Sequence, residues 1–265
     1  RRNPMKVLDL FSGIGGFSLG LEWAGMSTIA MCEKDPHCRK ILAKHWPDLP
    51  IHEDIRNLDG QEFAGTIDVV CGGFPCQPFS VAGARRGKDD DRHLWPEMLR
   101  VIQEVKPRWV IGENVFGFIN MALDDVQSGL ERERYEVRKF VLPAVAVDAK
   151  HRRDRVFVIA YRDPSLADTN DKRIQGCTKP RGHEEIRQES NDQHVVRCSR
   201  GSFKLSNTER QACWLPEPNV GRVAHGVSNR VDRLKGLGNA VVPQLIQAIG
   251  EIVIKADREI YNAES

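Results

Sequence analysis

Five short apolar runs, at 7–11, 29–32, 69–71, 109–112 and 156–160, alternate with stretches whose apolar residues recur at helical spacing. That alternation is the pattern of an open α/β sheet, whose strands are covered on both faces and so read as continuous hydrophobic runs. Leu94, Met98, Val101, Ile102 and Val105 form one helical stripe, and Val242, Leu245, Ile246, Ile249 and Val253 form another. Both are core packing and carry no function. Right-handed crossovers put the ligand sites of such sheets at the carboxyl ends of the strands. Phe11 and the glycines after it, Glu33, Asp54, Pro75 with Cys76, and Glu113 all lie at or near predicted strand ends, so they can converge on one crevice.

Two of these strand ends carry unusual chemistry. The segment Gly72-Gly73-Phe74-Pro75-Cys76-Gln77-Pro78-Phe79-Ser80 sets one cysteine between two prolines, directly after the run 69–71. An arbitrary cysteine is most often a small apolar packing residue. Packing gives no reason for the flanking prolines, whereas a thiol at a strand end can be deprotonated and aimed. Cys76 is therefore a nucleophile candidate. The second strand end is the glycine-rich stretch Phe11-Ser12-Gly13-Ile14-Gly15-Gly16, which leads into a helical pattern with Phe17, Leu21 and Ala24 on one face. A strand, glycine turn and helix form a unit of the nucleotide-binding type. Its spacing matches neither a dinucleotide fingerprint nor a phosphate loop, so alone it says only that something approaches the backbone closely.

With three further segments, Glu113-Asn114-Val115, His151-Arg152-Arg153-Asp154-Arg155 and Gly236-Leu237-Gly238-Asn239-Ala240-Val241-Val242-Pro243, these two turns resemble, in the same order, the motif series of the cytosine-C5 DNA methyltransferases. The resemblance covers about three quarters of the chain, all but roughly residues 162–215, and as an ordered set its motifs are highly specific. It implies a Rossmann-like open twisted sheet of the S-adenosylmethionine-dependent methyltransferase kind, with a small irregular target-recognition lobe. The expected division is a catalytic and cofactor-binding domain at 5–161, the recognition region at 162–215, and a segment at 216–265 that returns to the catalytic domain.

The resemblance also implies roles. Cys76 adds to C6 of cytosine, because C5 is too poor a nucleophile to take a methyl group until the ring is activated. Glu113 donates a proton or hydrogen bond at N3, where negative charge develops. Arg153 contacts the target cytosine beside Glu113, and Arg155 is its structural partner. Because the two arginines alternate on the approach to the run 156–160, they are expected to project to one side. The family usually has glutamine where His151 stands, a departure that leaves both arginines in register. For the cofactor, Phe11 packs on it, and Gly13, Ile14, Gly15 and Gly16 let it reach the backbone. Glu33 binds the ribose hydroxyls, Asp54 the adenine amino group and Ile55 the adenine face. Pro75 and Leu94 line the site, and Asn239 folds back on the methionine end. Lys34 departs from the aromatic residue that often follows the acid.

A base inside a duplex hides C5 and C6, so the target must be flipped out. The polar stretch 81–93 reads as a loop able to close over it. Gln77 and Ser80 are expected at the DNA, and Arg85, Arg86 and Lys88 at its phosphates.

Composition bounds the rest. With 265 residues, 40% hydrophobic and 29% charged, the chain can bury a full core. Residues 150–235 hold 18 Lys and Arg against 11 Asp and Glu, a local charge of +7 in a chain of net charge +2, so a polyanion is drawn to that stretch. No apolar run is long enough to span a membrane and the start lacks a signal-peptide pattern, so a cytoplasmic location is expected. Arg1 to Pro4, ahead of Met5, read as an expression remnant. Seven cysteines without a C-x-x-C pair indicate neither a disulfide framework nor a zinc site. Cys177, His183, His194, Cys198 and Cys213 are too irregularly spaced for one, and no metal is expected.

The resulting expectation is a DNA (cytosine-5)-methyltransferase of prokaryotic or phage type that acts on double-stranded DNA as a monomer with S-adenosylmethionine, with a cognate restriction endonuclease as a possible partner encoded nearby. Two alternatives stand beside it, a tRNA cytosine-5 methyltransferase and a non-catalytic DNA-binding module on the same fold. Against the second, a binding module has no reason to keep a nucleophile and its acid. A dinucleotide oxidoreductase would explain only the glycine turn.

Overall fold

The strands assemble around β1 (Lys6–Leu10), which is flanked by β2 (Ser27–Cys32) and β4 (Val69–Gly72). In the computed structural model, which describes residues 3–75, 94–120, 122–149, 153–162, 195–197 and 239–262, eight strands form one sheet in the order β3-β2-β1-β4-β5-β7-β6-β8. The others are β3 (Ile51–His52), β5 (Trp109–Val115), β6 (Tyr135–Pro143), β7 (Asp154–Arg162) and β8 (Val195–Arg197). β1 to β5 run parallel, β7 is antiparallel to both β5 and β6, and β8 pairs parallel with β6. The chain winds outward from β1 in both directions, so the crevice between the carboxyl ends of β1 and β4 is the topological switch point where open sheets bind ligands.

Alternate strand residues feed two cores. Leu8, Leu10, Val70 and Val110 pack under α3 (Trp95–Val105), joined by Leu123, Val126 and Leu130 of α4 (Leu123–Arg132). Val7, Val69, Cys71 and Ile111 point the other way, against Phe17 and Leu21 of α1 (Gly16–Trp23) and Leu245, Ile246, Ile249 and Val253 of α5 (Pro243–Asn262). Each of these aliphatic side chains, buried fully, stabilises the fold by roughly 1.5–3 kcal/mol relative to exposure. On the β1–β2 side, Asp35 caps α2 (Pro36–His45) by accepting from the His37 N–H, with Pro36 preset for the first turn.

α5 is anchored at its far end by a polar cluster. Asp257 accepts from Trp109 Nε1 at 2.9 Å and from Arg108 at 3.0 Å, and Arg108 also reaches Asp68 at 2.9 Å. At its near end α5 docks on α1, where Gly20 is obligatory: a Cβ there would meet the Pro243 carbonyl oxygen at 2.5 Å and Ile246 Cβ at 2.6 Å.

Several boundaries differ from the sequence reading. The first strand stops at Leu10, because Phe11 takes a left-handed backbone, φ +55°, that no strand accommodates. The runs 109–112 and 156–160 are the middles of longer strands, so Glu113 and Arg155 lie within β5 and β7. β7 is antiparallel rather than another parallel crossover, since it returns directly from β6.

Candidate active site

The glycine turn after β1 is held rigidly from beneath. Ser12 Oγ donates to the Asp9 carbonyl at 2.8 Å, Ser12 N–H to the Cys32 carbonyl at 3.1 Å, and Gly15 N–H to the Ser12 carbonyl at 2.8 Å. Gly13 and Gly15 have φ of +55° and +88°, where a side chain is strained. At Gly15 there is also no space, since a Cβ would come within 2.4 Å of the Trp46 ring. Gly13 is different: among the described residues an added Cβ would touch only the Phe11 carbonyl oxygen, at 4.0 Å, which leaves room for a ligand on its outer side. Asp9, fully buried in β1, accepts from Ser18 Oγ at 2.6 Å and Ser18 N–H at 3.2 Å, tying α1 to the strand. Burial pushes its carboxyl up to about 7, against the opposing Ser18 bonds. No role follows for Asp9 from the sequence analysis above. Its signal is an acid inside the apolar run Val7-Leu8-Asp9-Leu10.

The acids after β2 and β3 face the same turn. Glu33 accepts from Gly13 N–H at 2.7 Å through Oε2 and from Asp35 N–H at 2.6 Å through Oε1, which leaves further lone pairs on both oxygens. Asp54 caps the 3-10 turn Ile55–Asn57 and pairs with Arg56 at 2.6 Å and Lys34 at 3.7 Å. The Arg56 hydrogen bond, with Lys34 adding charge, holds the Asp54 carboxyl down at about 2, so near neutrality it only accepts. Ile55 is almost wholly buried, and its carbonyl accepts from Arg100 Nη2 at 2.7 Å. Leu94 sits half-buried at the N-terminus of α3, and Asn239 is exposed. Two residues on, Val241 lies against Gly16, where a Cβ would come within 2.8 Å of its Cγ1. Phe11, half-buried, packs on the core cluster that contains Ile55. The glycine turn, both acids and the 239–242 segment thus surround the carboxyl end of β1, a fit for a nucleoside-bearing cofactor of the S-adenosylmethionine kind.

Across the switch point stands Glu113, 9% exposed. The β5–β7 register sets Glu113 opposite Phe157 and Val115 opposite Arg155, so Glu113 and Arg155 are diagonal neighbours on one face. Arg155 Nε meets Glu113 Oε1 at 2.9 Å. Burial raises the Glu113 carboxyl to about 7, with Arg155 and then Arg153 pulling the other way. The desolvation penalty outweighs the ion pair, as expected for a carboxylate with so little water. Arg153 lies just ahead of β7 with φ +37°, so it does not continue the extended alternation with Arg155 that was expected of it. Its Nη2 donates to the Ala240 carbonyl at 2.7 Å.

Asn114 does work that the sequence reading did not assign. Its Nδ2 donates to the Phe74 carbonyl at 3.0 Å and its Oδ1 accepts from Val115 N–H at 2.9 Å, which fixes the turn after β4 against β5. Glu113 lies so close to that turn that a Cβ on Gly73 would come within 3.1 Å of Oε2. Pro75 is exposed and ends this described segment. Cys76, Gln77, Ser80, Arg85, Arg86 and Lys88 lie outside the described residues, as do His151 and the loop 81–93. Among the described residues no group of three or more His, Cys, Asp and Glu is placed to hold a metal, and no helix is long and apolar enough to cross a membrane.

At the opposite end of the sheet an open cleft of about 170 Å³ is lined by Lys106, Arg132, Arg134 and Arg162 with Glu133. It lies where α3 and α4 end; of its cations only Arg132 stands in a helix's last turn, where a positive charge suits the carbonyl ends.

An open sheet with its glycine turn and acids at the switch point defines the Rossmann-like class of nucleotide- and cofactor-binding folds. Within that class residues 5–214 match the family model of the C-5 cytosine-specific DNA methylases, and the chain belongs to that family. It is 36% identical over 175 residues to the Type II methyltransferase M.Eco47II of Escherichia coli, covering 63% of this chain and 41% of that one. It is also 36% identical over 178 residues to the Type II methyltransferase M.AquIA of Picosynechococcus, covering 59% of this chain and 72% of that one. The chain therefore spans well under half of the first relative and most of the second. Among solved structures it resembles a candidate DNA modification methyltransferase encoded within a prophage of E. coli, with TM-score 0.53 and 28% identity over 63% of this chain and 49% of the other. It shares the fold of a DNMT2 variant from Spodoptera frugiperda, with TM-score 0.55 and 19% identity over 74% of this chain and 55% of that one.

Proposed function

We propose that the protein is a DNA (cytosine-5)-methyltransferase that binds S-adenosylmethionine at the carboxyl end of β1 and modifies a flipped cytosine in double-stranded DNA. The observation that carries the reading is Glu113, buried, held by Arg155 at 2.9 Å and beside the turn that leads to Cys76.

Cys76 adds as the thiolate to C6, and the displaced electron pair moves through the ring towards N3. Glu113 donates its proton there, a task for which a carboxyl titrating at about 7 is suited near neutrality, since an ordinary glutamate would already be ionised. Arg155 keeps the carboxyl oriented and stabilises it once the proton has gone. Bound S-adenosylmethionine supplies the methyl group that C5 accepts. The C5 proton then leaves to water, β-elimination breaks the C6–S bond and returns the Cys76 thiolate, and the proton on N3 goes back to Glu113. On the cofactor side Glu33 offers its remaining lone pairs to the ribose hydroxyls, ionised Asp54 accepts from the adenine amine, and the open side of Gly13 admits close approach. The basic segment 150–235 supplies attraction for the phosphate backbone.

The test uses duplex DNA in which cytosine is replaced by 5-fluorocytosine, whose C5 carries no removable proton, so the elimination cannot proceed. With S-adenosylmethionine present the wild-type protein should form a denaturant-stable protein–DNA adduct, and Cys76→Ala should form none. Adduct formation by Cys76→Ala, or none by the wild type on DNA of any sequence, contradicts the mechanism.

A further inference from the structure

The guanidinium of Arg153 is committed in two directions. Nη2 donates to the Ala240 carbonyl at 2.7 Å. Arg153 also stands two residues ahead of Arg155, whose Nε meets Glu113 Oε1 at 2.9 Å, and its charge acts to lower the Glu113 carboxyl. Ala240 sits between Asn239 and Val241, and Val241 is pressed onto the glycine turn, its Cγ1 and carbonyl oxygen 2.8 and 2.9 Å from where a Cβ on Gly16 would stand. A single side chain thus ties the segment packed on the glycine turn to the neighbourhood of Glu113 in β5. Among the described residues Arg155 makes no such link: its guanidinium meets Glu113 and the Asp154 carbonyl, 2.9 Å each.

The backbone supports a particular role for this side chain. Arg153 has φ +37°, a region that glycine occupies freely and an L-residue with a Cβ does not. The guanidinium is therefore held where it is against a local preference, which is how strain is distributed at functional positions.

We propose that Arg153 is a positioning residue that couples the two halves of the site, fixing the 239–242 segment over the glycine turn through the Ala240 carbonyl while it stands beside Glu113. The inference rests on the methyltransferase reading above and adds to it a link between cofactor binding and target-base binding. Cofactor in the crevice steadies the segment that Arg153 holds, and so steadies Arg153 next to the acid. By reciprocity a base docked against Glu113 and Arg153 tightens the cofactor.

Losing a hydrogen bond to a charged group shifts an equilibrium by roughly 10- to 100-fold. Calorimetric titration of S-adenosylmethionine into the full chain without nucleic acid is the direct test, on wild type, Arg153→Ala, Arg153→Gly, Arg153→Lys and Arg155→Ala. Arg153→Ala should bind the cofactor about 10-fold or more weakly, and Arg153→Lys, which keeps a cationic donor, should recover part of that loss. Arg155→Ala should stay within about 2-fold of wild type. Arg153→Gly removes the guanidinium while relieving the backbone, so it should match Arg153→Ala in affinity and keep a wild-type melting temperature, which separates positioning from a folding defect. Wild-type affinity in Arg153→Ala or Arg153→Gly overturns the coupling while leaving the methyltransferase reading intact. Absence of cofactor binding by the wild type overturns the reading itself, and the coupling with it.

Discussion

Two buried carboxyls set the behaviour of the site at the scale of single residues. Glu113 and Asp9 are both raised to about 7 by burial, each against hydrogen bonds or cations that oppose the shift. In the unfolded chain such groups titrate at about 4. Between those values the folded protein holds protons that the unfolded chain has released, so stability falls as pH rises through that window. Thermal unfolding followed from pH 5 to 8 should show the midpoint decreasing, and Asp9→Asn, which can still accept from Ser18, should flatten the curve. A slope unchanged by Asp9→Asn would remove Asp9 from this account. For Glu113 the consequence is also chemical: Glu113→Gln should lose about 10²- to 10⁴-fold in turnover, the usual share of a positioned general acid. Cofactor affinity should change little. The sequence marks Glu113 as a strand-end acid, but its protonation could not be read there, because the desolvation comes from distant residues brought together only by folding.

Among the elements, legibility tracked burial on both faces. The cores of β1, β2, β4, β5 and β7 are runs of Val, Leu, Ile, Met and Cys and stand out in the sequence. β6 does not, since Glu136, Arg138 and Lys139 interrupt it. Their charges are met by neighbours, Arg138 and Tyr161 on Glu136, and Gln127 at 2.7 Å from the Lys139 ammonium. β3 and β8, at two and three residues, are too short to carry a period. The start of α2 is marked in the sequence by Asp35-Pro36, a cap followed by proline, but the helix buries only Cys38 and Leu42 and so lacks a strong apolar stripe. The docking of α5 on α1 could not be foreseen, because Gly20 looks like any helix glycine until the Pro243 carbonyl is found 2.5 Å from its missing Cβ. Gly20→Ala should therefore push the helices apart at a cost of about 1–3 kcal/mol, the range for overpacking. Cofactor affinity should weaken in parallel, since α5 carries the 239–242 segment onto the glycine turn. Denaturant titration with cofactor binding checks this, and an unchanged midpoint in Gly20→Ala would contradict the close approach.

The whole molecule places its chemistry by topology. Winding outward from β1 in both directions leaves one gap between strand ends, and the glycine turn after β1 and the Gly73-Phe74-Pro75 turn after β4 flank it. Glu33 and Glu113 were legible as acids at the ends of apolar runs beside those turns, whereas Asp54 follows β3, which is too short to be read. The antiparallel return of β7 was not legible, although it is what lays Arg155 across Glu113. The central claim is that this crevice joins a methyl donor to cytosine in DNA, and the measurement that tests it most directly is transfer of labelled methyl from S-adenosylmethionine to duplex DNA, with tRNA as a parallel substrate and bisulfite sequencing of the product. The account predicts 5-methylcytosine in duplex DNA at a defined short sequence, none in tRNA, and none with Cys76→Ala. Labelled tRNA with unmodified DNA, or labelled DNA from Cys76→Ala, would contradict it.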